Sequence, residues 1–316
     1  MPAKNNSDTL HLTRIYDAPV KSVWEAWTDP KQLAKWWGPR GFTITTHHKD
    51  EKTWDYTMHG PDGVDYPNVT VYHEIEKYKR MVYDHGGNKT QPPMFRVTVE
   101  FTELSKNKTK MDMQMAFASH EIFEESKKVI KKANGNSTWD RLAEYLDKET
   151  SGHDRFVINR SFQAPIETVF EMWTNPKHFT QWLPPTGFNM KFIEVDIKPG
   201  GTGFYMMSDA ANTMKMYGKV NYIEIKKPDR LVYTQQFADE KGNLTRHPMS
   251  PTWPETMLTT ITLASEGPDQ TRVTVMWEPH GKVTAEEVAT FLKERAGMTQ
   301  GWTGSFDKLE DYLAKQ

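Results

Sequence analysis

The sequence predicts an α+β protein made of two tandem copies of one domain, each a curved antiparallel sheet closed by a long C-terminal helix. Three observations predict it: an internal repeat, turn-punctuated alternating segments in the middle of each copy, and an apolar helical stripe at each copy's end. RIYDAPVKSVWEAWTDPKQLAKWWGPRGF from Arg14 aligns without gaps to RSFQAPIETVFEMWTNPKHFTQWLPPTGF from Arg160, with 13 of 29 positions identical. YHEIEKYKRMVY from Tyr72 then matches YIEIKKPDRLVY from Tyr222, and WDRLAEYL from Trp139 matches FDKLEDYL from Phe306. A period of about 150 residues has the size of a domain, not of a solenoid unit. Copy one is therefore expected over residues 1–150 and copy two over residues 151–316.

Each copy opens with a β-prone alternating segment, Leu10 to Tyr16 and Phe156 to Phe162. The Ala-Pro pairs at 18–19 and 164–165 start a helix whose apolar stripe in copy one is Val20, Val23, Trp24 and Trp27. Asp29-Pro30 and Asn175-Pro176 read as an N-cap followed by proline, opening a second short helix that Gly38-Pro39 and Pro184-Pro185 end. A long β region follows, with turns at Gly60-Pro61-Asp62-Gly63, His85-Gly86-Gly87, Pro199-Gly200-Gly201 and Gly267-Pro268. Thr284 and Glu287 form a capping box for the closing helix of copy two. Its stripe runs through Val288, Phe291, Leu292, Met298, Trp302, Phe306, Leu309 and Leu313.

Composition narrows the function. The chain has 316 residues with 40 Lys+Arg against 42 Asp+Glu, too balanced to announce a nucleic-acid or membrane surface. Having no cysteine excludes disulfides, thiol nucleophiles and thiolate zinc sites. The opening MPAKNNSDTL has no apolar signal region and no run of 18 apolar residues occurs, so a cytoplasmic protein without a membrane span is expected. The eleven histidines show neither HExxH spacing nor an i, i+4 pair on a helix, so no metal and no cofactor is expected. GxSxG, P-loop and GxGxxG motifs are absent. Glu74 and Glu224 recur within Tyr-x-Glu-Ile, with Arg80 and Arg230 six residues on. A buried carboxylate of that kind could serve a cyclase; a solvent-facing Glu beside a hairpin Arg is the plainer reading.

The segments DAPVKSVWEAWTDPKQLAKWWGP and GPDGVDYPNVTVYHEI in copy one, and QAPIETVFEMWTNPKHFTQW, DIKPGG and GWTGSFDKLEDYL in copy two, resemble the START-like helix-grip superfamily. More narrowly they resemble its branch named after the C-terminal domain of the activator of the 90-kDa heat-shock-protein ATPase. The resemblance runs from about Leu10 to Leu313. It implies a sheet curled round a long helix with a cavity between them, an architecture that serves ligand carriers, cyclases and co-chaperones alike.

Binding of a small apolar or amphipathic molecule in that cavity is the leading expectation, with a chaperone or other protein as the second class of partner and a cavity-carboxylate enzyme as the third. Met111, Met113 and Met115 alternate with polar residues and place methionine on one strand face, and adaptable thioethers suit an irregular ligand. With Trp54, Tyr72 and Tyr83 they are the candidates in copy one; Met214, Met216, Tyr217, Tyr233, Met257, Met276, Met298 and Trp302 are those of copy two. Trp37 joins them, because adjacent helical residues do not share a face and Trp36-Trp37 cannot both point inward from one helix. Copy two keeps Pro199-Gly200-Gly201 and Gly301-Trp302, whereas copy one has HHKDEK and Asn134-Gly135 there. The better-formed pocket is therefore expected in copy two, and a break in the helix at Gly135 in copy one.

Overall fold

The computed structural model of the protein describes residues 8–88, 90–132 and 137–316, the side chains of 129–132 apart. Its internal contacts divide the chain into two units, Met1–Gly152 and His153–Gln316. The first unit runs β1 (Thr9–Tyr16), α1 (Val20–Thr28), α2 (Pro30–Trp36), β2 (Thr43–Lys49), β3 (Thr53–His59), β4 (Asp65–Glu76), β5 (Arg80–Gly87), β6 (Phe95–Ser105), β7 (Lys108–Phe117), α3 (His120–Lys132) and α4 (Ser137–Ser151). The second repeats that order as β8 (Phe156–Phe162), α5 (Ile166–Thr174), α6 (Pro176–Trp182), β9 (Phe188–Val195), β10 (Thr202–Asp209), β11 (Lys215–Lys226), β12 (Arg230–Ala238), β13 (Thr256–Gly267), β14 (Gln270–Pro279), α7 (Ala285–Lys293) and α8 (Arg295–Leu313).

Each unit holds one seven-stranded antiparallel sheet, ordered β1-β7-β6-β5-β4-β3-β2 and β8-β14-β13-β12-β11-β10-β9. The first strand of each unit pairs with the last, so the sheet is a meander whose N-terminal strand crosses to the far edge. The α+β tandem architecture is thus the one the sequence predicts. Helices cover one face of each sheet, which gives the strands their alternation. Met111 and Met113 are buried on that face, Met115 packs partly against it, and Asp112 and Gln114 point the other way.

The short helices form for reasons repeated in both units. Asp29 and Asn175 cap α2 and α6 by accepting from the backbone N–H of Lys31 and Lys177, and Pro30 and Pro176 occupy the first helical position. The buried indoles of Trp36 and Trp182 each donate at 3.0 Å to the carbonyl ten residues back, on Ala26 and Met172, which fixes α2 on α1 and α6 on α5. Thr109 and Thr271 donate to the carbonyls of Ala18 and Ala164 at 2.8 Å, tying the entry of the first helix to the sheet.

Three details differ from the sequence reading. Thr284 and Glu287 do form the capping box, but it opens the nine-residue α7; Glu294, at φ −83° and ψ 1°, ends that helix and precedes the 19-residue α8. His85-Gly86-Gly87 is the end of β5, not a turn, because Gly86 adopts φ +79° within the strand. Trp36 and Trp37 are both buried, since Trp37 already has extended backbone (φ −62°, ψ 137°) and leaves the helix toward the interior. The expected break at Gly135 falls outside the described residues. Among those that are described, no helix is long and apolar enough to cross a membrane.

In the second unit α8 packs on its own sheet through Trp302 and Phe306. The Trp302 indole lies near-parallel to Trp173 (6.0 Å, 27°) and meets Trp277 edge-on, while Phe306 meets Phe162 of β8. With 6% of its surface exposed, Trp302 is core. Trp302→Ala is expected to cost about 3–5 kcal/mol in the urea transition that melts the second unit. A loss below about 1 kcal/mol would remove the indole from the core.

Candidate functional site

The cavity of the second unit lies between the two short helices and the β9–β12 half of the sheet. Trp173 of α5, Phe179 of α6 and Leu183 close one side. Met190 and Phe192 of β9, Tyr205 of β10, Val220 and Tyr222 of β11, and Leu231, Tyr233 and Gln235 of β12 form the other. Its interior volume is about 30 Å³, room for a water-sized group. No residue of α8 lines it, which corrects the expectation of a cavity against the long helix. Trp302 and Phe306 fill the space between α8 and the β8–β14 half of the sheet.

Two glycines shape this cavity. A Cβ on Gly218 would lie 2.3 Å from the Tyr205 hydroxyl, so the phenol rests directly on the β11 backbone. Gly203 leaves open the ground between Phe192 and Val220, which a Cβ would approach at 3.3 and 2.7 Å. Three phenols supply the polarity. Burial pushes the Tyr205 hydroxyl up to about 12 and raises Tyr222 and Tyr233 further, so all three stay neutral hydrogen-bonding groups at ordinary pH. Gly200 (φ +78°) turns the β9–β10 hairpin so that its N–H bonds the Tyr222 carbonyl at 2.8 Å, and Tyr222 N–H returns a bond to Gly201 at 2.9 Å. The Pro199-Gly200-Gly201 turn therefore braces a cavity wall.

The strand registers make Trp54 the counterpart of Gly203, Tyr56 of Tyr205 and His85 of Gln235. In the first unit Trp54 stacks on Tyr56 at 3.9 Å, and Trp37, standing where the second unit has Leu183, packs edge-on against Trp54 at 5.2 Å. The Trp37 indole donates to the Tyr56 hydroxyl at 3.3 Å. Two indoles thus occupy the volume that the second unit leaves open. His85 is held between the rings of Trp37 and Phe95, its Nδ1 without a hydrogen-bond partner, and desolvation lowers it to about 4.

Comparison with known proteins follows the duplication. The family model described as "Activator of Hsp90 ATPase homolog 1-like protein" matches twice, over residues 17–147 and 163–314. The chain belongs to this family. Each match spans one unit, so the protein is a tandem pair of the family's domains. No curated protein matches the sequence. Among solved structures, a protein from Chromobacterium violaceum is 25% identical, with a TM-score of 0.39, over 50% of this chain and 95% of its own. One from Arthrobacter aurescens is 23% identical, with a TM-score of 0.44, over 51% of this chain and 87% of its own. A protein from Silicibacter pomeroyi, titled as a member of the same family, is 17% identical, with a TM-score of 0.39, over 51% and 97%.

Within this pair of family domains the candidates read from the sequence scatter. Tyr233 lines the cavity. Met257, Met298 and Trp302 are buried in the second core but do not line the cavity. Met216 pairs with Met207 at the far end of the sheet. Met214 is 43% exposed in the turn before β11. Tyr217 and Met276 sit between buried inward residues and so face away from the cavity, Tyr217 stacking on Phe204 instead. In the first unit Trp37, Trp54, Tyr83, Met111 and Met113 are buried core, and Tyr72 and Met115 pack against it. Glu74 and Glu224 pair with Arg80 and Arg230 at 3.5 and 3.0 Å on half-exposed surface, beside a β-bulge after Tyr72 and Tyr222 that accounts for the recurring Tyr-x-Glu-Ile. Among the described residues no cluster of His, Asp and Glu could hold a metal.

The lining residues that sequence reasoning missed carried a signal. The repeat pairs Tyr72 with Tyr222, and alternation from Gly203 carries Tyr205 to the same face. His85 yields a test of pH dependence. Its folded value lies below the ordinary 6.5, so the unfolded chain takes the proton first. The stability it contributes is full above about pH 6.5 and drains as pH falls toward about 4. His85→Gln, which installs the residue of the second unit, is expected to flatten that stretch of the urea-midpoint profile relative to the parent protein.

Proposed function

We propose that the second domain binds a small apolar or amphipathic molecule without transforming it, and that the first domain has given up this role. The observation that carries the reading is the contrast at one place in the fold. An aromatic cavity with three phenols and Gln235 stands in the second unit, and Trp37 and Trp54 fill that place in the first.

The chemistry of the lining specifies the ligand class. Phe179, Phe192, Met190 and Leu231 offer apolar contact, while neutral phenols and one carboxamide offer hydrogen bonds and no charge. An uncharged molecule with one or two polar atoms suits that wall. The present volume of about 30 Å³ is far below the ~300 Å³ of an ordinary ligand site, so binding requires Leu183, Met190 and Phe192 to turn aside. Leu183 and Met190 are flexible aliphatic chains at the rim, which keeps such a movement inexpensive. A cytoplasmic setting fits the cysteine-free sequence.

Exchanging the two residues between the copies tests the proposal. Leu183→Trp is expected to abolish binding of a neutral fluorescent apolar probe by the full chain, with native mass spectrometry of freshly purified protein reporting any retained molecule. In the first unit, Trp54→Gly, which installs the residue the second unit has as Gly203, is expected to open a cavity and add a second, weaker probe site. Undiminished binding in the Leu183→Trp protein would place the site elsewhere and overturn the reading.

A further inference from the structure

Lys49 is the last residue of β2, and its side chain turns into the aromatic cluster of the first unit. Its amine donates to the Tyr72 hydroxyl at 2.9 Å and lies 4.4 Å from the centre of the Tyr72 ring and 5.7 Å from that of Trp54. The adjacent acid, Asp50, acts on the amine through its charge but forms no ion pair with it. Asp50 already accepts from Lys52 N–H, Thr53 N–H and the Thr53 hydroxyl through Oδ1, and bonds His48 Nε2 at 3.1 Å through Oδ2.

The duplication shows that the fold itself does not ask for an amine at this point. Lys49 pairs with Trp54 as Val195 pairs with Gly203, so the second unit places a valine there. An amine held among rings without a carboxylate is an expensive substitution for valine unless its chemistry is used. We propose that Lys49 is a covalent capture site at which a small apolar aldehyde condenses with the amine, Tyr72 relaying the protons.

The Nζ lone pair adds to the carbonyl carbon, and the carbonyl π pair passes to oxygen, which takes the Tyr72 proton. The phenolate recovers a proton from the nitrogen, leaving a neutral carbinolamine. Loss of its hydroxyl with the second N–H proton gives the imine and one molecule of water. Amine plus aldehyde become imine plus water, with no change of oxidation state and no further reactant. The half-buried ring of Tyr72 supplies the apolar flank that favours an uncharged aldehyde over a charged one.

Burial lowers Lys49 to about 8, against the ordinary value of about 10.4. At pH 7.5 a larger share of this amine is then in the free-base form than of an unperturbed lysine. Steric access and the lower intrinsic nucleophilicity of a weaker base reduce that advantage. Among the groups facing the amine, Asp50 acts to raise its value and Tyr72 remains a neutral phenol.

The full chain is to be treated with benzaldehyde and cyanoborohydride at pH 7.5, and the lysines ranked by peptide mass spectrometry. Lys49 is expected to label at least tenfold faster than the exposed Lys21, with a rate rising through about pH 8. Lys49→Val should remove the fast site, and Tyr72→Phe should slow imine formation while leaving the folded protein's circular dichroism unchanged. Labelling of Lys49 no faster than Lys21 overturns the proposal, as does a fast site that survives Lys49→Val. An unchanged rate in Tyr72→Phe overturns the proton-relay role.

Discussion

The turn that follows the second short helix leaves several carbonyls pointing into each unit, and a basic side chain of the closing helix must meet them. Arg141 donates to the carbonyls of Trp37, Gly38, Pro39 and Phe42 at 2.8–3.3 Å, and Arg40 on the same turn pairs with Glu144 at 2.7 Å. In the second unit Lys308 donates to Pro184 at 2.8 Å and Ser305 to Leu183 at 2.7 Å. Trp139 and Phe306 align in the repeat, so Arg141 and Lys308 stand at one position of the fold. Buried carbonyls without donors are costly. This contact therefore decides where the turn lies, and with it where residue 37 or 183 enters the interior.

With that frame fixed, four differences in the cavity half of the sheet set the two interiors apart. Leu183, Gly203, Gln235 and Val195 in the second unit become Trp37, Trp54, His85 and Lys49 in the first. All four belong to the half of the sheet served by the short helices. The other half keeps its fastening, Thr109 and Thr271 to the Ala18 and Ala164 carbonyls.

The fold was legible because its signals are local and written twice. Pro30 after Asp29, and Pro176 after Asn175, fix two helix starts without reference to anything distant. Alternation at Met111, Met113 and Met115 gave a strand face correctly. The cavity was not legible to the same degree, because its position depends on which half of the sheet α8 covers, and no periodicity encodes that. Met214 was misplaced by a turn at Asn212 (φ +56°) that lets β11 begin only at Lys215. Tyr217 and Met276 were misplaced by one register step, which moves a side chain to the opposite face. Trp37 was misplaced because a helix-face argument was applied to a residue already outside the helix.

The stacking partner of the first helix's buried tryptophan comes from a different turn of the closing helix in each unit. Trp27 is stacked by Trp139 (5.8 Å, 11°), whereas its counterpart Trp173 is stacked by Trp302, four residues earlier in the aligned helix. Tandem repeats in one gene are prone to recombine and homogenise. A crossover between these two positions would give one hybrid helix with both indoles aimed at a single partner and a reciprocal hybrid with neither. One is overpacked and the other hollow, so neither hybrid helix packs as either parent does.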